Sequence, residues 1–230
     1  MSGLLDHAAD LLLGSRCPGC HQPGRGLCVA CRHELARGRV RFVERDPSPP
    51  GYPLTVCAGD YTGVVPALLS GFKDERLLDL AGPLAARLGA SVAHLLAALG
   101  RVGTAYALVP VPSAPAAIRE RGLDHTHLLA ARTAREVRRQ VGLVLPVRRL
   151  VRPPRRAVDQ VGLDARARLL NRSNHFGAVP ALRGEIPILV DDVTTTGSTL
   201  AAASLALARI GSPAVGAVVV AATVRRHQPR

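Results

Sequence analysis

Apolar positions along this chain alternate between strand-like runs and helical patterns. Strand-like runs fall at residues 54–61, 106–111, 143–151, 186–190 and 214–221. Apolar residues at helical spacing fall at residues 77–99, 115–139 and 200–210. Gly100 and Gly211 follow the first and last of these helical segments, where glycine commonly ends a helix. The alternation predicts an α/β fold whose parallel strands are joined by right-handed crossovers.

The first 53 residues follow a different pattern. Apolar residues at positions 4, 5, 8, 11 and 12 predict a short amphipathic helix. Residues 46–53, Asp-Pro-Ser-Pro-Pro-Gly-Tyr-Pro, are rich in residues that interrupt helix and strand, and we interpret them as a linker. The predicted organisation is a small module at 1–45, a linker at 46–53 and a main domain at 54–230.

Four cysteines in that module form two Cys-x-x-Cys pairs separated by seven residues. They are Cys17, Cys20, Cys28 and Cys31. Each pair can present two thiolates to one tetrahedral ion, so the spacing predicts a structural Zn²⁺ site with no open coordination position. Two disulfides, or four unrelated thiols, are the alternatives, and disulfides suit a reducing compartment poorly. The fifth cysteine, Cys57, lies in an apolar strand and is predicted to be a core residue.

Charge points to anionic partners. The chain has 30 Lys and Arg against 17 Asp and Glu, a net charge of +13. That surplus suits a phosphorylated metabolite or a nucleic-acid backbone, and composition does not separate the two. Arginines surround the cysteines at positions 16, 25, 32, 37, 39 and 41. The module is therefore expected either to contact DNA phosphates or to cap the sheet of the main domain.

The chain shows no sign of a membrane or export segment. Its start lacks the basic front and the cleavage site of a signal peptide. No run reaches about 18–20 uninterrupted apolar residues, the length of a membrane span. We expect a cytoplasmic protein without membrane insertion.

The clearest motif follows the strand predicted at 186–190. Two carboxylates, Asp191 and Asp192, precede a run rich in hydroxyl groups: Thr194, Thr195, Thr196, Gly197, Ser198 and Thr199. Beyond the end of a parallel strand, such a run can hold a phosphate between backbone N–H groups and hydroxyls. The two acids fit if ribose hydroxyls lie between them and the phosphate. The alternative is that the acids merely end a strand and the threonines cap a helix.

This stretch resembles the phosphoribosyl-pyrophosphate (PRPP) signature of type I phosphoribosyltransferases. The rest of the chain is similar to the ComF family, which is known for competence-related proteins needed in DNA uptake. The matching features are the Cys-rich start, Phe72-Lys73, Val109-Pro110-Val111-Pro112, Arg121-Gly122, Leu128-Leu129-Ala130, Gln160-x-Gly162-Leu163, Arg168-x-x-Asn171 and Phe176. The family usually has Arg-Gly-Phe-Asn-Gln, whereas this chain has Arg121-Gly122-Leu123-Asp124-His125 and so lacks the amide pair of that motif.

The resemblance implies a type I phosphoribosyltransferase-like parallel sheet flanked by helices. It further implies a bound PRPP or related phosphoribosyl compound with Mg²⁺. The residues after Asp192, from Thr195 to Thr199, would hold the 5′-phosphate, and Asp191 and Asp192 would hold the ribose hydroxyls. Partners implied by the family context are single-stranded DNA and a competence helicase.

PRPP chemistry also needs groups that stabilise the departing pyrophosphate. Pro112 ends a predicted strand, with Arg119 and Arg121 after it, and Lys73 is a further candidate. Residues 152–176 are polar and basic, and are predicted to form a loop or flap over the site. His125 and His127 are candidate bases, although packing or solvent-facing roles are commoner for histidine. Two functions stay open: phosphoribosyl transfer to an unknown acceptor, or a catalytically silent nucleotide sensor that binds DNA or a helicase.

Overall fold

The computed structural model describes residues 16–24, 26–100, 103–153, 176–181 and 184–224. The helix predicted at the start of the chain and most of the predicted flap at 152–176 lie outside these residues. The strands are β1 (Arg41–Phe42), β2 (Thr55–Cys57), β3 (Ala105–Pro110), β4 (Val151–Arg152), β5 (Gly177–Ala178), β6 (Glu185–Thr194) and β7 (Gly216–Ala222). The helices are α1 (Val29–Ala36), α2 (Val65–Lys73), α3 (Ala81–Leu99), α4 (Pro115–Arg121), α5 (His125–Val141) and α6 (Ser198–Arg209).

Five strands form one sheet in the order β1-β2-β7-β6-β3. The four strands β2, β7, β6 and β3 are parallel, and β1 joins the edge in the antiparallel direction. All seven residues of β7 are buried, as expected for a central parallel strand covered on both faces. The carboxyl ends of the four parallel strands therefore lie along one side of the sheet, which we call the carboxyl edge.

Helices cover both faces of this sheet. Buried residues of α2, α3 and α5 pack together on one face, and α6 packs with β4 and β5 on the other. By length and composition, residues 78–99 resemble a membrane span, but half of that segment is buried in the fold. Burial of that kind is typical of a core helix. The predicted architecture, an α/β fold with a mostly parallel sheet between helices, is confirmed.

The helical segment predicted at 115–139 is two helices. Gly122 adopts a left-handed φ of +68° and ends α4. Asp124 then begins α5, because its Oδ1 accepts a hydrogen bond from the N–H of His127 at 3.1 Å. The chain consequently turns between Arg121 and His125, and both residues face the region beside α2.

Two further differences concern short elements. The strand predicted at 143–151 contributes an isolated bridge from Val147 to Leu108, and β4 begins only at Val151. Helix α2 was not predicted, because its nine residues, with a proline near the start and Gly71 inside, give a weak helical pattern. Buried residues Leu68 and Phe72 hold α2 against α3, so tertiary packing stabilises it.

Candidate functional site

Asp191 and Asp192 lie near the end of β6, at the carboxyl edge. The Oδ1 atom of Asp191 accepts the N–H of Asp192 at 2.9 Å, and Oδ1 of Asp192 accepts the N–H of Val193 at 2.7 Å. These local hydrogen bonds fix one oxygen of each carboxylate. Asp192 is only 5% exposed, whereas Asp191 is half-buried.

Lys73, the last residue of α2, forms an ion pair with Oδ2 of Asp192. Burial lowers the pKa of the Lys73 ammonium, while the nearby charge of Asp191 raises it in part. Burial raises the pKa of Asp191 to about 7, against the opposing effect of Lys73. The site therefore holds one paired carboxylate and a second whose charge changes near neutral pH.

The 195–199 loop follows β6 and leads into α6. In the described part of the chain, the N–H groups of Thr195, Thr196 and Gly197 donate no hydrogen bond. Hydroxyls of Thr196 and Ser198 lie 2.9 Å apart on the exposed side of the loop. Unpaired N–H groups ahead of a helix N-terminus form a concavity suited to an anion.

Both the backbone conformation and the neighbouring side chain at position 197 favour glycine. Its φ of +83° is left-handed, and a Cβ at this position would lie 2.5 Å from the ring of Tyr52. Tyr52 belongs to the predicted linker, so that segment contacts the loop. The tyrosine hydroxyl is buried and has no hydrogen-bond partner among the described residues.

A second ion pair lies beside Lys73. Arg121, at the end of α4, donates to Oδ1 of Asp74 at 2.9 Å, and Asp74 directly follows Lys73. The charge of Arg121 also lowers the pKa of Lys73, after the larger effect of burial. This pairing brings the predicted residues Lys73 and Arg121 to the same region as Asp191.

The other residues predicted to contact an anion make few polar contacts with the described part of the chain. The N–H of Val111 donates to the carbonyl of Val190 at 2.8 Å, which places Pro112 beside the end of β6. Arg119 is exposed on α4 and makes no hydrogen bond or ion pair within the described ranges. Thr194 ends β6 with its hydroxyl buried and, among the residues described, unpaired. Thr199 is exposed in the first turn of α6.

His125 packs in the interior. Its side chain is 3% exposed, and its ring meets Phe72 edge-on with ring centroids 5.3 Å apart. Burial, followed by the charge of Arg121, lowers the pKa of His125. The histidine is thus neutral near pH 7 and takes part in holding α2 against α5. His127 is half-buried, and burial also lowers its pKa.

Arg45 is a further residue of this region, and no sequence pattern predicted it. It is 7% exposed, and it donates from Nη2 to the carbonyl of Thr194 at 2.8 Å and from Nη1 to the carbonyl of Thr223 at 2.9 Å. The guanidinium therefore joins the ends of β6 and β7. No sequence signal distinguishes Arg45 from the many other arginines, because both acceptors are main-chain atoms far along the chain.

The four paired cysteines form one cluster, as predicted. Sulfur atoms of Cys17, Cys20, Cys28 and Cys31 all lie within 4.8 Å of one another. A tetrahedral site with Zn–S distances of about 2.3 Å has edges of about 3.8 Å. The Cys20 and Cys28 sulfurs are 3.7 Å apart, which fits that edge and is far longer than a disulfide bond. The donor set supports a structural Zn²⁺ site, and the disulfide alternative is wrong.

The backbone around Cys17 favours its thiolate form, whereas burial raises the pKa of Cys31. Burial opposes ionisation of Cys17, but N–H donors led by that of Cys28 outweigh it and lower the pKa of Cys17 to about 6. Gly19 leaves room for the cluster, since a Cβ there would lie 2.9 Å from the sulfur of Cys31. Cys57, the fifth cysteine, is fully buried in β2, as predicted.

The cysteine module shares the core of the main domain. Cys17 and Cys31 belong to the same buried cluster as Leu68 and Phe72 of α2. A carboxylate oxygen of Glu34, on α1, accepts the N–H of Val64 at 3.0 Å where α2 begins. Strand β1, from the predicted 1–45 segment, pairs with β2 across the predicted linker.

The fold thus gathers Lys73, Arg121, Asp191, Asp192 and the 195–199 loop at the carboxyl edge. Arg119 lies on the surface nearby without a partner within the described ranges. Open α/β sheets usually bind ligands at this edge.

The chain was compared with family models and with known proteins. No family model matches the chain. The chain is 28% identical over 199 residues to the DNA utilization protein YhgH of Escherichia coli (strain K12), covering 86% of this chain and 80% of that protein. This chain is therefore similar, over most of its length, to a protein named for DNA utilization.

Proposed function

We propose that this protein binds PRPP at the carboxyl edge and transfers its phosphoribosyl group to an acceptor. The observation that carries the proposal is the 195–199 loop, where three consecutive N–H groups have no partner among the described residues, follow two carboxylates and precede a helix N-terminus. A phosphate alone leaves Asp191 and Asp192 without a role, because carboxylates accept hydrogen bonds and a phosphate offers them few donors. A sugar phosphate satisfies both halves of the site, because its hydroxyls donate to carboxylates and its phosphate accepts from N–H groups.

The proposed roles follow from this division. Thr195 to Thr199 take the 5′-phosphate, and Asp191, with one carboxylate oxygen not engaged by the Asp192 N–H, accepts from a ribose hydroxyl. Lys73 and Arg121 supply positive charge where pyrophosphate leaves, and Arg119 and Pro112 line the approach. During transfer the bond from C1′ to the pyrophosphate oxygen breaks, a bond to the acceptor forms, and pyrophosphate carries away the bonding electrons.

The residues present also fit Mg²⁺. This ion prefers oxygen ligands and retains water or substrate oxygens rather than a complete protein cage. Asp191 is the carboxylate that would hold Mg²⁺ together with oxygens of the ligand, because Asp192 is already paired with Lys73. The ion would supply charge neutralisation for the departing pyrophosphate.

Calorimetry with PRPP and Mg²⁺ tests the proposal. Asp191→Asn combined with Asp192→Asn is expected to weaken PRPP binding by about tenfold or more, since hydrogen bonds to charged groups contribute about 1.5–3 kcal/mol each. Asp79→Asn is the matched control, because Asp79 is exposed and lies outside the site. Undiminished affinity in the double variant would contradict the assignment.

Turnover is tested separately. Pyrophosphate release from PRPP is measured with a panel of nucleobases and small amines as acceptors. Release that depends on one acceptor supports transfer. PRPP binding without release from any acceptor would instead support a catalytically silent sensor built on the same site.

A second candidate function is DNA contact by the cysteine module. Similarity to a protein named for DNA utilization favours it, together with exposed arginines on the module. Arg32, Arg37 and Arg39 are exposed and make no ion pair within the described ranges, and the last two line a cleft of ≈ 340 Å³. Such arginines can bind a phosphate backbone without reading bases.

A further inference from the structure

Arg45 and Tyr52 hold the two ends of the turn that leads from β6 into α6. The Arg45 guanidinium binds the carbonyl of Thr194, the last residue of β6. Three residues later, Gly197 packs against the ring of Tyr52. Residues 45–52, most of them in the predicted linker, therefore contact the loop at its start and at Gly197.

One of the two hydrogen bonds of Arg45 is made to the residue at which the loop begins. The Thr194 carbonyl accepts two hydrogen bonds, one from Arg45 at 2.8 Å and one from the N–H of Thr223 at 3.1 Å. The hydroxyl of Thr223 reaches the next carbonyl, that of Thr195, at 3.3 Å. These hydrogen bonds hold the carbonyls of Thr194 and Thr195, while the N–H groups of Thr195, Thr196 and Gly197 have no partner in the described structure.

A buried guanidinium is costly unless it is hydrogen-bonded, and here two carbonyls accept from Nη1 and Nη2, while Nε has no partner among the described residues. The planar fork fixes the separation of the two carbonyls it binds. It also places a positive charge directly behind a loop that offers N–H groups to an anion. Both effects favour an anion on the outer side of the loop.

We propose that Arg45 is a positioning residue for the phosphate-binding loop. This inference rests on the proposed function and deepens it: Arg45 sets the conformation that takes a phosphate monoester, while it has no part in holding pyrophosphate beside Lys73 and Arg121. It acts through the Thr194 carbonyl and does not touch the ligand.

The test compares two arginines that both bind main-chain carbonyls. Arg87 donates to the carbonyls of Ala36, Gly38 and Ala58, away from the loop, so Arg87→Met is the matched control for Arg45→Met. Binding of ribose 5-phosphate and of inorganic pyrophosphate is measured by calorimetry. Arg45→Met is expected to weaken ribose 5-phosphate binding about tenfold and to leave pyrophosphate binding within about twofold.

Rescue separates positioning from general stability. Millimolar methylguanidinium is expected to restore ribose 5-phosphate binding to Arg45→Ala and to leave Arg87→Ala unchanged. Unaltered ribose 5-phosphate affinity in Arg45→Met, or an equal loss for both ligands, would overturn the inference.

A ligand-free measurement keeps this inference distinct from the proposed function. Amide NMR shifts and hydrogen exchange of Thr195, Thr196 and Gly197 are expected to change in Arg45→Met and to stay as in the parent in Arg87→Met. If the parent binds no phosphoribosyl compound, the proposed function fails, and these amides still decide the role of Arg45. Unchanged loop amides in Arg45→Met would refute the positioning role.

Discussion

Burial gives Asp191 an acidity unlike that of a surface aspartate. Its pKa is raised to about 7, although the neighbouring Lys73 acts to lower it. A carboxylate that ionises near neutral pH can change its charge as a ligand or Mg²⁺ arrives. Asp192, beside it, is held by the ammonium of Lys73. Asp192 thus has an ion-pair partner, whereas Asp191 has none among the described residues.

This acidity predicts a pH-dependent stability. A carboxyl whose pKa is about 7 when folded, against 3.8 ordinarily, binds more protons in the folded state. Its stabilising effect is therefore present below about pH 4 and is lost as pH rises towards 7. The difference in free energy of unfolding between Asp191→Asn and the parent is expected to rise, in favour of the variant, by about 1–3 kcal/mol from pH 5 to pH 8.

Urea unfolding at both pH values, without Mg²⁺ or ligand, measures this difference. Asp79→Asn is again the control, and its difference from the parent should be the same at both pH values. A constant difference for Asp191→Asn as well would show that the carboxyl ionises in its ordinary range.

Helix α2 connects the cysteine module to the candidate site. Glu34 of the module binds the N–H of Val64 where the helix begins, and the middle of α2 packs in a core shared with Cys17 and Cys31. Gly71 faces Pro18, because a Cβ added to this glycine would lie 3.6 Å from the proline Cβ. Lys73 ends the same helix. The position of Lys73 therefore depends on a module whose own fold depends on four thiol ligands.

Zinc removal is expected to affect both stability and the site. Loss of the ion leaves four thiols without their common partner, which loosens the packing under α2. Cys20→Ser, which alters the exposed ligand, is expected to lower the melting temperature by about 5–10 °C. The same variant is expected to weaken pyrophosphate binding, because Lys73 is no longer held in place.

Cys57→Ala provides the comparison, since Cys57 is buried in a different part of the core from Cys17 and Cys31, and its loss should leave the zinc content unchanged. Metal analysis, thermal unfolding and calorimetry are run on both variants. Unchanged melting and unchanged pyrophosphate binding in a zinc-free Cys20→Ser protein would show that the module and the site are independent.

The net charge of +13 is distributed over more than one surface. Arg32, Arg37 and Arg39 lie on the cysteine module, and a second exposed set, Arg132, Arg135 and Arg138, lies on α5. Deleting the first 45 residues would not test the module cleanly, because Cys17, Cys31 and β1 belong to the core and sheet of the whole fold. Surface substitutions avoid that difficulty.

DNA contact by the module predicts a change in salt dependence. Replacing its three arginines by alanine should reduce the slope of log K against log salt by about 2, at about 0.7 per lost phosphate contact on a single strand. Replacing the three α5 arginines removes the same charge and serves as the control. Fluorescence anisotropy with a labelled single-stranded oligonucleotide measures both. Equal slopes for the module variant and the parent would exclude the module as the contact.

Local patterns in the sequence were sufficient to predict the α/β class, the Cys₄ cluster and the position of Asp191 and Asp192 before a helix. Each of these depends on periodicity or on spacing between residues close in the chain. The main strands and α3 and α6 were predicted for the same reason. The break between α4 and α5 was not predicted, because Gly122 lies inside an otherwise helical pattern.

Contacts between residues far apart in the sequence could be identified only from the tertiary structure. Lys73 reaches Asp192 only because α2 packs between the cysteine module and α3, and no local pattern predicts that packing. Arg45 reaches Thr194, 149 residues away, through backbone carbonyls that carry no sequence information. The sequence thus supplied the groups that can bind an anion, and the packing of α2 and of residues 45–52 decided which of them meet.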